Sequence, residues 1–390
     1  MYWVGGNDRR KALFESVYPI PRGVSYNSYL VLDEKTVLLD TVDKEVSDVF
    51  LDGVEHLLSG RQLDYVIVNH MEPDHAATLG ELVVRHPEVR IVCNAKTADM
   101  IKQFFAFDID SRAHLVKEGD TLCTGRHIFT FVMAPLVHWP EVMVTYDMTE
   151  ETLYSADAFG SFGALNGNIF ADESTPDMSE YRRYYTNIVG KYGVQVKALL
   201  NKAQSLRISM ICPLHGLIWR KDIDNLIQKY AKWSAYEPEI KGALIAYSSV
   251  YGNTQSAAEI VANRLGEQGV KNIQMYDVSV THPSYVVAEA FRYSHIVFAT
   301  TTYNGGIFVT MENLLLDLKA HNLQNRTVAL IENGTWAATA AGQMKNILSS
   351  MKGMNVIANP VTLKSSVKPE KRDELIALAD AICETLKKRY

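Results

Sequence analysis

Six consecutive residues, His70-Met71-Glu72-Pro73-Asp74-His75, set two imidazoles and two carboxylates at alternating spacing. Nitrogen and oxygen donors grouped in this way are the donor set of a metal site. The apolar run Tyr65-Val66-Ile67-Val68-Asn69 precedes them and a helical pattern from Ala76 to Arg85 follows, so the four side chains belong to a turn at the end of a strand. Such turns present ligands to the crevice beside a sheet. Pro73 stiffens the turn. A plainer reading makes Asp74 a helix N-cap and Glu72 a partner of the helix dipole. It accounts for one or two of the four groups and leaves the others unexplained.

Other donors stand just after strand-like runs. His138 follows Ile128 to Met133 through Ala134-Pro135-Leu136-Val137, Asp157 closes Leu153-Tyr154-Ser155-Ala156, and His215 follows Ile208 to Cys212. Each alone is an ordinary structural residue. With the hexapeptide they make four imidazoles and three carboxylates, enough for two four-coordinate metals if one carboxylate bridges. The other seven histidines, among them His56, His86, His114 and His127, have no such company and read as surface or packing residues.

A second chemistry lies at Ser248-Ser249-Val250-Tyr251-Gly252-Asn253-Thr254, between a strand and a helix. Hydroxyl side chains and a glycine at that junction can wrap a phosphate in backbone N–H and side-chain O–H donors at the helix N-terminus. There is no lysine and no Walker spacing, which favours a flavin monophosphate over a nucleoside triphosphate. A Ser/Thr N-cap is the plainer alternative. Two further strand ends, Thr301-Thr302-Tyr303-Asn304-Gly305-Gly306 and Asn333-Gly334-Thr335-Trp336-Ala337, complete a crevice.

The elements that must position these groups change character near residue 240. From Asn27 to Met148 short apolar runs recur, at 29–32, 37–39, 91–93, 128–133 and 142–146, with few long helical patterns between them. Helical stretches follow at Ser179 to Leu206 and Lys221 to Trp233. The polar, proline-containing segment Ser234 to Glu239 reads as the linker, so the expected domains are 1–238 and 239–390. Beyond it, strands at 243–247, 273–278, 296–300, 328–331 and 356–361 alternate with helices at 254–266, 284–291, 309–320, 337–351 and 369–388. Five βα units imply a doubly wound parallel five-stranded sheet with ligands at its carboxyl ends.

Composition narrows the class. The 390 residues, 47% hydrophobic and 22% charged with a net charge of −6, give no electrostatic basis for binding nucleic acid or an anionic membrane. No stretch reaches the roughly 18 apolar residues of a membrane span and the N-terminus lacks signal-peptide order, so a cytoplasmic location is expected. Cys93, Cys123, Cys212 and Cys383 form no C-x-x-C pair. Disulfides and a built-in rubredoxin or iron–sulfur centre are not expected.

The order of ligands resembles the metallo-β-lactamase superfamily, whose zinc hydrolases carry H-x-H-x-D-H where this chain has H-x-E-x-D-H. Glu72 hardens the donor set and favours iron. That change is similar to the flavodiiron proteins (A-type flavoproteins), which fuse an αβ/βα sandwich to a flavodoxin-like domain. The resemblance extends to His138-Trp139-Pro140, Asp157-Ala158-Phe159-Gly160 and His215-Gly216. It implies that His70, Glu72 and His138 hold the iron nearer the flavin, that Asp74, His75 and His215 hold the other, and that Asp157 bridges two non-haem irons. It also implies FMN clasped by the 301–305 and 333–337 loops, with Tyr303 and Trp336 as aromatic contacts. Ala337 to Ala341 departs from the glycine-rich pattern usual there.

The function the resemblance implies is reduction of dioxygen to water, or of nitric oxide to nitrous oxide, with electrons from a separate donor, rubredoxin or a reduced deazaflavin coenzyme. It implies a head-to-tail homodimer, or a tetramer built from it, in which the FMN of one subunit meets the irons of the other. A zinc hydrolase with an accessory flavodoxin domain and a plain flavodoxin-type carrier are the alternatives. Glu72 weighs against the first and the complete ligand set against the second.

Overall fold

The short apolar runs of the N-terminal half pair into two sheets in the computed structural model, which describes residues 1–388. One sheet has six strands in the order Tyr2–Trp3, Tyr29–Val31, Val37–Leu39, Tyr65–Ile67, Arg90–Cys93 and Ala113–Leu115. The other has five, Thr121–Cys123, Ile128–Met133, Met143–Asp147, Thr152–Tyr154 and Met210–Cys212. Val31, Leu39, Ile67 and Val92 of the first pack with Phe129, Phe131, Met143 and Cys212 of the second in one core. Burying such an apolar side chain stabilises by roughly 1.5–3 kcal/mol. A one-residue slip would turn a strand's buried set outward, so the pattern also fixes register, and with it the strand ends that carry the ligands.

Helices are more prominent between these strands than the sequence suggests. Ser47–Leu58 buries Phe50, Leu51, Val54 and Leu58, and Ala95–Phe104 buries Thr97, Ala98 and Ile101 behind an Asn94 cap that accepts from Thr97 N–H. The single helix expected from Ser179 to Leu206 is interrupted. Met178–Tyr184 is α-helical, Tyr185–Val189 forms a π-turn, Gly190–Tyr192 is a 3-10 turn, and Gly193–Ala203 resumes the α-helix. Gly190 and Gly193 weaken helix propensity at the break, and Tyr184 through Val189 are all buried.

The second half forms a parallel sheet in the order Ile273–Asp277, Ile240–Tyr247, Tyr293–Tyr303 and Thr327–Asn333, with a fifth position beside Thr327–Asn333. This is the 2-1-3-4-5 order of a flavodoxin-like, doubly wound fold. The one strand expected over 356–361 is two, Asn355–Val356 and Val361–Leu363, because Ala358 has a φ of +60° and Pro360 has no N–H to give the ladder. Gly306–Ile307 adds a short antiparallel hairpin to Tyr293–Tyr303. On one face, Ala257 and Val261 of Asn253–Glu267 and Leu375 and Ile382 of Pro369–Lys388 pack on Ile245, Val297 and Ile331. The helix expected from Ala337 starts at Ala340, leaving 334–339 as loop.

Two compact units result, Met1–Ala231 and the residues from Lys232 on. The division falls within the helix Ile223–Ser234, whereas the sequence reading places the boundary after residue 238.

Candidate metal centre and flavin crevice

Asp40 and Asn69 build the turn that carries the hexapeptide. One carboxylate oxygen of Asp40 accepts from the N–H groups of Asn69 and His70 at 2.7 and 3.2 Å, and the other accepts from the Asn69 amide at 2.8 Å. Asn69 in turn accepts from Thr145 Oγ1 at 2.7 Å and, through its carbonyl, from Met143 N–H, which ties the turn to the second sheet. Burial pushes the Asp40 carboxyl up to about 6 despite these donors. Pro73 opens the short helix Pro73–Ala76. No side chain caps it, so Asp74 and Glu72 are not spent on the helix, as the plainer reading required.

All seven expected donors converge. Ligand atoms of His70, Glu72, His138 and Asp157 lie within 4.8 Å of one another, as do those of Asp74, His75 and His215. Glu72 Oε2 stands 3.2 Å from His70 Nε2 and 3.0 Å from His138 Nε2. Asp74 Oδ2 is 3.3 Å from His75 Nε2 and 3.2 Å from His215 Nε2. Asp157 faces both groups. Its Oδ2 is 3.2 and 3.1 Å from His70 and His138, and its Oδ1 is 3.1 and 3.7 Å from His75 and His215. Ala156 and Phe159, both at positive φ, bend the chain sharply around it.

Glu72 and one oxygen of Asp157 pair with the rings of His70 and His138, but other carboxylate oxygens are left over. No hydrogen-bond partner among the described residues reaches either carboxylate oxygen of Asp74 or the Oδ1 of Asp157, although all three atoms are buried. Leaving such acceptors unpaired is costly, and a cation between the rings and carboxylates removes the cost. For His138, burial favours the neutral ring, but the Asp157 and Glu72 carboxylates outweigh it and hold the imidazole up to about 9. The His70 ring is likewise held well above the usual imidazole value, against burial, chiefly by Asp157. A pocket that calls for positive charge this strongly, with imidazole and carboxylate donors only, fits two metal ions.

Two ring orientations are fixed from behind. His70 donates from Nδ1 to Glu141 Oε1 at 2.8 Å, and His215 donates from Nδ1 to the Ser25 carbonyl at 2.7 Å, so both present Nε2 to the site. Glu141 also accepts from Met71 N–H at 2.9 Å, and its own carbonyl accepts from the Asn94 amide at 2.6 Å. Sequence reasoning misses Glu141. The signal available was a carboxylate three residues beyond a candidate ligand, too common to single out. Aromatic rings wall the site, with Phe14 and Tyr184 centred 5.3 and 5.4 Å from His215 and Trp139 5.5 Å from His70. The buried Tyr184 hydroxyl finds no partner among the described residues, and its phenol is held well above the usual value, first by burial and then by the charges of Asp157, Asp74 and Glu72. Glu15, on the hairpin that carries Phe14, is pushed up to about 8 by desolvation and by the neighbouring Glu72.

In the second unit a crevice of about 510 Å³ opens at the carboxyl ends of the parallel strands. It is lined by Ser249, Val250, Tyr251, Asn253 and Thr254, by 301–305, by 333–337, and by Ser365. Ser248 and Gly252 of the expected set lie outside the lining. Ser248 is buried and bonds Thr300 Oγ1 at 2.7 Å, and Gly252, at a φ of +88°, is the N-cap of Asn253–Glu267. That helix has no side-chain cap, and the buried Ser249 Oγ has no partner among the described residues, so the donors a phosphate needs are present and unspent. Ser365 is the addition. It pairs reciprocally with Asn333, N–H to Oδ1 and Nδ2 to carbonyl, both at 2.9 Å, and so closes the crevice from the fifth strand.

Known proteins share this architecture. The family described as ODP family beta lactamase matches residues 24–216, and flavodoxin matches residues 245–376. A nitric oxide reductase of Moorella thermoacetica is 30% identical over 365 residues, covering 92% of this chain and 90% of its own. An anaerobic nitric oxide reductase flavorubredoxin of Aeromonas hydrophila is 30% identical, over 95% of this chain and 75% of its own. Among solved structures, the rubredoxin oxygen:oxidoreductase of Desulfovibrio gigas superposes with a TM-score of 0.92 at 28% identity, covering 99% and 96% of the two chains. The flavodiiron protein of Giardia intestinalis shares the fold, with a TM-score of 0.91 at 24% identity. With both domains matched in order and the ligand and flavin geometry in place, the chain belongs to the flavodiiron proteins, oxidoreductases whose cofactors are FMN and a diiron centre.

Proposed function

We propose that this chain reduces dioxygen to water by four electrons drawn from a separate donor. The reading is carried by Asp157, whose two carboxylate oxygens face two separate donor groups, together with Glu72 where a zinc hydrolase has histidine. When bound, FMN would supply one- and two-electron transfer and an iron pair would supply redox-active Lewis-acid centres for a diatomic oxidant. His70, Glu72 and His138 would hold one iron and Asp74, His75 and His215 the other, with the Asp157 carboxylate facing both groups. Glu141 and the Ser25 carbonyl keep His70 and His215 in the tautomer that offers Nε2. Phe14, Trp139 and Tyr184 keep bulk water from the site, and the Tyr184 hydroxyl stands ready as an O–H donor beside it.

In the flavin domain, Ser249, Gly252, Asn253 and Thr254 take the phosphate, while Tyr303 and Trp336 flank the ring system. The domains run 1–238 and 239–390. Trp336 and Tyr251 are 94% and 91% exposed at the crevice rim, which supports a head-to-tail homodimer whose second subunit covers them, alone or within a tetramer. The donor is a separate rubredoxin or a reduced deazaflavin coenzyme. Among the described residues no helix is long and apolar enough to cross a membrane, in keeping with action in the cytoplasm.

Nitric oxide reduction at the same site is the second reading, favoured by the names of the 30% identical relatives. The test is reduction of the purified protein by each donor in turn, then measurement of dioxygen and nitric oxide consumption with electrodes. Turnover of nitric oxide far above that of dioxygen would overturn the first reading, and turnover of neither would overturn both.

A further inference from the structure

Asn304 and Gly305 form the two-residue turn between Tyr293–Tyr303 and Gly306–Ile307, with φ of +50° and +74°, and both line the flavin crevice. Positive φ at both positions is the type I′ pattern. Only two residue pairs, Thr302 with Ile307 and Tyr303 with Gly306, hold the hairpin. By itself so short a ladder is weak. The start of the helix Ala340–Ser349 supplies the rest. Thr339 N–H donates to Thr302 Oγ1 at 3.0 Å, Thr339 Oγ1 donates to the Gly305 carbonyl at 3.0 Å, and Gln343 Nε2 donates to the same carbonyl at 2.9 Å. The Gly305 oxygen therefore has both its acceptor positions engaged.

A flavin that takes up one electron and one proton turns a ring nitrogen from acceptor to N–H donor. A backbone carbonyl free to rotate at the crevice wall could accept from it and would stabilise the one-electron state. A carbonyl already holding two donors gains nothing by turning. We infer that Thr339 and Gln343 are positioning residues that lock the Asn304-Gly305 turn through flavin reduction, so that the one-electron state gains no new acceptor and the two one-electron potentials stay close together. The inference rests on FMN occupying this crevice.

The test uses the full-length, iron- and FMN-loaded protein and its Gln343→Ala, Thr339→Val and doubly substituted variants. Flavin absorbance is followed through a dye-coupled redox titration, and oxidised FMN affinity is measured separately. Freeing the Gly305 carbonyl to accept one new hydrogen bond from the one-electron flavin should raise the comproportionation constant of the double variant roughly ten- to a hundredfold, because that constant counts the stabilisation twice. Oxidised FMN should bind within about twofold of wild type, since the crevice lining is unchanged, and Thr339→Ser should behave as wild type. A comproportionation constant unchanged in the FMN-loaded double variant overturns the inference alone, as does a loss of FMN affinity with no change in that constant. A wild-type chain that binds no FMN overturns the cofactor assignment and the inference together.

Discussion

His75 Nε2 and His215 Nε2 stand 3.0 Å apart in the buried metal pocket. Two neutral imidazole lone pairs repel at that distance unless a proton or a metal ion lies between or beside them. Asp74 Oδ2 sits 3.3 and 3.2 Å from the same two nitrogens, so the three ligand atoms enclose a point suited to a cation.

Donor hardness decides which cation. The wild-type chain, expressed with iron available, should hold about two irons, and Glu72→His should shift occupancy toward zinc because imidazole replaces a hard carboxylate. Elemental analysis of both proteins checks this. Two zincs in the wild type would remove the basis for an oxidoreductase.

Glu141 acts through His70. Its replacement by Ala frees the His70 ring to rotate and should weaken iron retention roughly 10–100-fold, while Glu141→Gln, which still offers an oxygen to Nδ1–H, should lose less. Competition with a chelator measures both. Equal retention in all three proteins would leave Glu141 without a role at the metal.

Tyr184 presents a buried hydroxyl that no described residue satisfies. Leaving such a group unpaired costs roughly 1–3 kcal/mol, so Tyr184→Phe should leave the iron-free protein as stable as wild type or more so. Its oxidant turnover should fall, by roughly 100-fold if the hydroxyl donates a proton in the rate-limiting step. A lowered melting temperature with full turnover would make the residue a packing element only.

At the other site, Thr254→Val removes a buried hydroxyl from the first turn of Asn253–Glu267. FMN should bind about tenfold more weakly, the equivalent of one hydrogen bond to a charged group, with iron content unchanged. Loss of iron with retained FMN would reverse the assignment of the two halves.

The proposed head-to-tail dimer makes a prediction by complementation. Mixing His75→Ala with Thr254→Val stripped of its FMN, with no free FMN added and under subunit exchange, would yield heterodimers in which one intact flavin faces one intact iron pair, and part of the oxidase activity should return. Demonstrated exchange with no recovery would refute transfer between subunits.

The convergence of the candidate metal ligands was legible because each follows an apolar run, and a strand end is the one place where sequence position translates directly into a place in the fold. The flavin loops were legible for the same reason. What escaped depends on distance along the chain. Glu141 meets His70 across 71 residues, and Ser365 completes the crevice by pairing with Asn333 across 32. The π-turn at Tyr185–Val189 escaped because a helical pattern persists through it in the sequence, while two glycines and the demands of the site's wall decide the local geometry.

Asp157 touches both donor groups with one carboxylate, so the two halves of the pocket cannot fill independently. The first ion to arrive orients that side chain for the second, a gain that favours paired filling where it outweighs repulsion between the two ions, and the coupling free energy acts equally in either order of filling. Uptake should therefore be cooperative. A population of chains short of iron divides into full and empty molecules, and half-filled ones, which could bind an oxidant at a single metal, stay scarce.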